Sequence, residues 1–105
     1  MALEFNDKNF KQEVIDSDEV VLVDFWATWC GPCRMMGSII EELSKEMKGK
    51  VKIGKLEVDS NPEMAGKYEI MSVPSLKIFK GGKVVKEFTG LQNKEVLRRE
   101  TESLI

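Results

Sequence analysis

Both cysteines of this chain, Cys30 and Cys33, stand just beyond an apolar run, Val20-Val21-Leu22-Val23-Asp24-Phe25-Trp26. The run is rich in β-branched residues and of strand length, so it predicts a buried strand. Asp24 is the one carboxylate inside it. After Cys33 the period changes. Met36, Ile39, Ile40, Leu43 and Met47 recur at the spacing of an amphipathic helix. The cysteines therefore sit where a strand passes into a helix, with Cys30 at or just before the first turn. Pro32 fits there because first-turn amides have no intrahelical partner to lose.

That position has chemical consequences. Unsatisfied N–H groups and the positive dipole end gather at a helix N-terminus and favour an anion. A thiolate at Cys30 is favoured over a thiol, and the thiolate is the nucleophile. Two cysteines three apart can also close a disulfide across one helical turn, so the site can cycle between dithiol and disulfide. A zinc site is disfavoured: tetrahedral zinc wants four ligands, and the chain has no histidine and no third cysteine. A purely structural staple is poor too, since so short a loop restrains little chain entropy. Redox catalysis is the reading that remains.

Composition narrows the function classes. The 105 residues suit one domain, 1–105, able to bury a core without staples. Net charge is −2 with no basic block, so nucleic-acid binding has no electrostatic support. No apolar run approaches the length that spans a bilayer, and the N-terminus lacks a charged region followed by an apolar core. With only two cysteines, the expectation is a cytoplasmic, reducing location.

Along the chain, Leu3-Glu4-Phe5 predicts a first strand. Asn6 reads as N-cap of a helix from about Asp7 to Ile15, with Phe5 and Phe10 as a hydrophobic staple. The active-site helix should stop near Gly49. Val51 and Ile53 alternate with polar neighbours before the apolar phase slips to Leu56 and Val58, the pattern of a strand buried on both faces. The slip leaves Lys55 on an apolar face. Asp24 occupies such a position on a strand expected to be its neighbour, so a buried or half-buried Asp24–Lys55 pair is expected. Asn61 and Pro62 read as N-cap and first residue of a short helix. Leu76 to Lys80 and Val84 to Phe88 form a hairpin about Gly81-Gly82. Asn93 caps a last helix reaching about Leu104. The order is βαβαβα then ββα: an α/β fold with a central mixed five-stranded sheet flanked by four helices, and with Cys30 beyond the carboxyl end of a central strand.

Trp29-Cys30-Gly31-Pro32-Cys33, behind an Asp-bearing strand and followed by Val73-Pro74-Ser75, resembles the active site of the thioredoxin family, and the likeness covers nearly the whole chain. The resemblance implies the thioredoxin fold and a general protein-disulfide reductase. In it Cys30 is the nucleophile and Cys33 the resolving thiol. Asp24 and Lys55 lie beneath the disulfide, and Asp24 moves the proton of the second cysteine. It implies a cis Pro74 packed against the cysteines. By the same resemblance, Trp29, Gly31, Pro32, Ser72, Val73 and Gly90 are expected to form a flat rim that accepts an extended segment of a client protein. It further implies that no cofactor is bound and that NADPH acts indirectly through a thioredoxin reductase; neither a metal nor a membrane is expected to take part. A monomer is expected. Met71 stands where a polar rim residue is common, and Ser38 replaces a helix-kinking proline. With serine the helix should run on unbroken. An oxidant or isomerase, or a binding module with an incidental cysteine pair, are the alternative readings; Gly-Pro between the cysteines resembles the reducing members.

Overall fold

An apolar strand needs cover on both faces, and the fold supplies it. In the computed structural model, which describes residues 1–105, Val21–Trp26 is β2 of a five-stranded sheet. β1 is Leu3–Phe5, β3 Lys52–Glu57, β4 Ser75–Lys80 and β5 Lys83–Thr89, in the spatial order β1-β3-β2-β4-β5. β1, β3 and β2 run parallel; β4 is antiparallel to β2, and β5 to β4. The helices are α1 (Gly31–Glu46), α2 (Pro62–Lys67) and α3 (Lys94–Glu102), with a short π-helix at Lys11–Ile15. This is the thioredoxin fold.

Side-chain alternation along β2 divides the core in two. Leu22 packs with Met36, Ile40 and Leu43 of α1 and Leu97 of α3. Val21, Val23 and Phe25 face the opposite way, onto Phe5, Phe10 and Phe79. Burying each such aliphatic or aromatic side chain contributes about 1.5–3 kcal/mol. Asp24 follows Leu22 on the α1 side of the sheet, and Lys55 follows Ile53 on the same side of β3. Their Cα atoms are direct partners in the β2–β3 register.

Most local signals act as their residue types require. Gly81 and Gly82, at φ 61° and 79°, form the tight β4–β5 turn in the left-handed region that suits glycine. Asn6 Oδ1 accepts the Lys8 and Asn9 N–H groups at 2.9 and 2.8 Å, and the Phe5 and Phe10 rings meet edge to face at 6.4 Å. Asn93 Oδ1 accepts from Glu95 and Val96. Gly54 has a packing reason: a Cβ there would lie 2.6 Å from the Phe5 ring and 2.7 Å from the Leu3 carbonyl.

Four expectations are corrected. The first helix is not α-helical from Asp7. Residues 7–9 turn, and Lys11–Ile15 is π-helical, the Asp16 N–H reaching back five residues to the Lys11 carbonyl while Lys11 Nζ pairs with the Asp16 carboxylate at 2.9 Å. α2 starts at Asn61-Pro62, but Asn61 does not cap it. The Asp7 carboxylate does, accepting the Glu63 and Met64 N–H groups at 3.1 and 2.9 Å, while Asn61 accepts the Asp7 N–H at 2.9 Å. α1 closes at Met47, two residues before Gly49. α3 ends at Glu102 rather than Leu104, with Ser103 as its C-cap.

Candidate active site

β2 ends at Trp26, and Cys30 is the N-cap of α1, with φ −95° and ψ 113°. That extended backbone turns its sulfur onto the open end of the helix. Cys30 Sγ accepts the Cys33 N–H at 3.2 Å, the interaction that satisfies a first-turn donor and favours negative charge on this sulfur. Cys30 and Cys33 are joined in a disulfide with Cα atoms 5.3 Å apart. Cys30 is the more exposed, though only at 6 % against 3 %. The contrast between the two is therefore one of helix position more than of accessibility in the oxidised chain.

The loop before β4 closes over the pair. The Val73–Pro74 bond is cis, and the Val73 carbonyl oxygen lies 3.7 Å from Cys30 Sγ. Val73 packs against the cluster of Ala27 and the two cysteines. The Pro74 carbonyl accepts the Gly90 N–H at 2.8 Å, and Gly90 has φ +84°. The entry to β4 and the turn after β5 are thereby tied together. Gly31, Pro32 and Ser72 are exposed, Val73 and Gly90 half-buried and Pro74 buried. Trp29 is 70 % exposed, its indole anchored by Nε1 donating to Asp59 Oδ2 at 2.9 Å. Met71, at 93 % exposure, adds apolar surface beside Ser72.

On the α1 side of the sheet, Asp24 is fully buried and neither carboxylate oxygen has a hydrogen-bond partner. Burial raises its pKa from 3.8 to about 7, and the Lys55 charge opposes this only in part. The expected Asp24–Lys55 ion pair does not form. Lys55 Nζ instead pairs with Glu41 Oε2 on α1 at 3.1 Å. Glu41 Oε1 accepts the Ala2 N–H at 2.7 Å, and that bond, followed by Lys55, holds the Glu41 carboxyl below its ordinary value despite partial burial. An open cavity of about 370 Å³ has Cys33, Gly37, Glu41 and Lys55 in its lining. α1 is continuous through Gly37 and Ser38, and Ser38 Oγ donates to the Arg34 carbonyl at 3.3 Å.

Glu41 and Asp59 are the residues a reading of motifs passes over. For Glu41 the signal is its spacing: Cys33, Gly37 and Glu41 recur every four residues and lie along one line of α1. For Asp59 no local pattern exists, because its partner Trp29 is 30 residues away.

A cysteine pair closed across the first turn of a helix and facing a cis-proline loop defines a thiol–disulfide oxidoreductase. The thioredoxin family's sequence profile matches residues 1–103. The chain is 50% identical over 102 residues to a thioredoxin of Chlorobaculum thiosulfatiphilum, covering 97% of this chain and 94% of that protein. It is 48% identical over 101 residues to thioredoxin 1 of a Nostoc species, covering 96% and 94%. It is 40% identical over 105 residues to the bifunctional thioredoxin reductase/thioredoxin of Mycobacterium leprae, covering 100% of this chain and 23% of that protein. The chain belongs to the thioredoxin family.

Proposed function

We propose that residues 1–105 act as one monomeric domain, a general protein-disulfide reductase in which Cys30 attacks and Cys33 resolves. The observation that carries the division of labour is the N-cap geometry, with Cys30 Sγ receiving the Cys33 N–H at 3.2 Å. The Cys30 thiolate attacks one sulfur of a client disulfide. A mixed disulfide forms, and the other client sulfur leaves as a thiolate and takes a proton from solvent. Cys33 gives its thiol proton to the Asp24 carboxylate and attacks Cys30 Sγ. The Cys30–Cys33 disulfide closes and the second client thiolate departs. Two electrons pass from the dithiol to the client, and no bound cofactor is needed.

A pKa of about 7 supports Asp24 in this role, because a proton acceptor works best near the operating pH. Lys55 belongs to the same machinery as the nearest cation on the neighbouring strand. Trp29, Gly31, Pro32, Ser72, Val73, Pro74 and Gly90 form the surface against which a client segment lies. Its mix of exposed indole, glycine and proline suits an extended backbone better than one particular side chain. The dithiol is regenerated by a thioredoxin reductase drawing on NADPH; the Mycobacterium leprae relative, which carries both names in one chain, supports that partnership. The reducing cytoplasm is the setting in which such a cycle runs. No helix is long and apolar enough to cross a membrane. The test is reduction of insulin disulfides with NADPH and a thioredoxin reductase. The wild type should turn over and Cys30→Ser should not; equal rates would overturn the proposal.

A further inference from the structure

Lys55 is the one cation whose backbone register sets it directly opposite Asp24, yet its ammonium is bonded elsewhere. The arrangement that draws it away is built from three places in the chain. Glu41 offers Oε2 to Lys55 at 3.1 Å, while its other oxygen is fixed by the Ala2 N–H at 2.7 Å. One turn earlier, Gly37 leaves room against the helix: a Cβ there would lie 3.4 Å from Lys55 Nζ. The Glu41 side chain keeps 36% of its surface in water, so it holds its charge at little desolvation cost, whereas Asp24 is fully buried. Lys55 therefore goes to the carboxylate that is already ionised.

The remaining surroundings of Asp24 offer no substitute cation. Across β4 its register partner is Leu76, and α3 contributes Leu97 to this side of the core. The nearby charges of α3, Lys94 and Arg98, are tied to Glu42 and Glu46 on the outer side of α1. Arg34, on the cavity wall with Cys33, is exposed, and it makes no ion pair.

We propose that Glu41 is a positioning residue for the redox reaction: by holding the Lys55 ammonium on α1 it keeps the Asp24 carboxylate unpaired. An Asp24 paired with Lys55 would be ionised throughout the neutral range and would be a poorer proton acceptor for Cys33. With Lys55 held aside, the carboxyl gains and loses its proton within that range. The functional consequence rests on the role proposed above for Asp24; the positional claim does not.

The experiment follows the Asp24 carboxyl carbon by NMR against pH in the full-length protein, in wild type, Glu41→Gln, Lys55→Met and the double variant. Glu41→Gln should lower the Asp24 midpoint by about one pH unit, the effect of a cation reaching a carboxylate. In the Lys55→Met background the same substitution should lower it much less, and Glu41→Asp should restore most of the wild-type midpoint. Lys55→Gln replaces Lys55→Met if the latter does not fold. An unmoved midpoint in Glu41→Gln, or an equal drop with and without Lys55, overturns the proposal, the second outcome because the Glu41 charge then acts through space alone. The pH profile of mixed-disulfide resolution is read in parallel and should shift with the midpoint. If the midpoint moves and the profile does not, the positional claim stands and the proton-acceptor role of Asp24 falls.

Discussion

Asp24→Asn should make this protein more stable, by an amount that depends on pH. The carboxyl is fully buried with no partner on either oxygen. It titrates at about 7 when folded against 3.8 for an ordinary aspartate. A carboxyl with a raised folded pKa binds its proton more tightly in the native state than in the unfolded chain. Its contribution to stability is thus fully present below pH 3.8 and is lost as pH rises towards about 7. At about 1.36 kcal/mol per pH unit, the gap corresponds to about 4 kcal/mol of lost stability at pH 7 and above. Full burial means that solvent screening does not discount this figure. Asparagine has nearly the same shape and no charge, so it escapes the loss. The variant should exceed wild type by about 4 kcal/mol at pH 8 and by about 1.5 kcal/mol at pH 5, with the two converging near pH 4. For a domain of this size about 4 kcal/mol raises Tm by on the order of 15 °C. Guanidinium unfolding of the oxidised proteins at pH 8 and 5, with unchanged m-values, measures it. A stability difference that is the same at both pH values, or absent, would refute the reasoning.

Asp7→Ala removes the carboxylate that caps α2 from the far end of the chain, leaving the Glu63 and Met64 amides without it; denaturant unfolding should show a loss of about 1 kcal/mol. Gly37→Ala meets only the Lys55 ammonium, at 3.4 Å, so the gain in helix propensity should survive. Thermal unfolding should show a stabilisation of up to about 1 kcal/mol, and a loss would mean that Lys55 cannot yield.

What the sequence declares is what neighbouring residues settle among themselves. The strand-to-helix passage around Cys30, the Gly81-Gly82 turn, the Asn6 and Asn93 caps and the Phe5–Phe10 contact all arise within a few residues of one another. The apolar phase of β3 even placed Lys55 on the correct face. What could not be read is what the fold brings together from afar. Asn61 carries every local mark of an N-cap, but its amide is turned to the Asp7 N–H and the Glu57 carbonyl, and Asp7, 56 residues from Glu63, takes the cap instead. Asp24 and Lys55 were legible as register neighbours. That Glu41 would win the ammonium depends on where Ala2 and α1 come to rest, which no local pattern records. The cis bond at Pro74 was expected through family resemblance, since its residue type alone favours trans.

The most direct test of the account is to mix reduced Cys33→Ser with a disulfide-bearing client and identify the product by mass spectrometry under non-reducing conditions. Cys30, as the attacking thiolate with no resolving partner, should accumulate as a mixed disulfide with the client, while Cys30→Ser should trap nothing. A trapped client on Cys33 of the Cys30→Ser protein, with none on Cys30, would contradict the assignment of Cys30 as nucleophile.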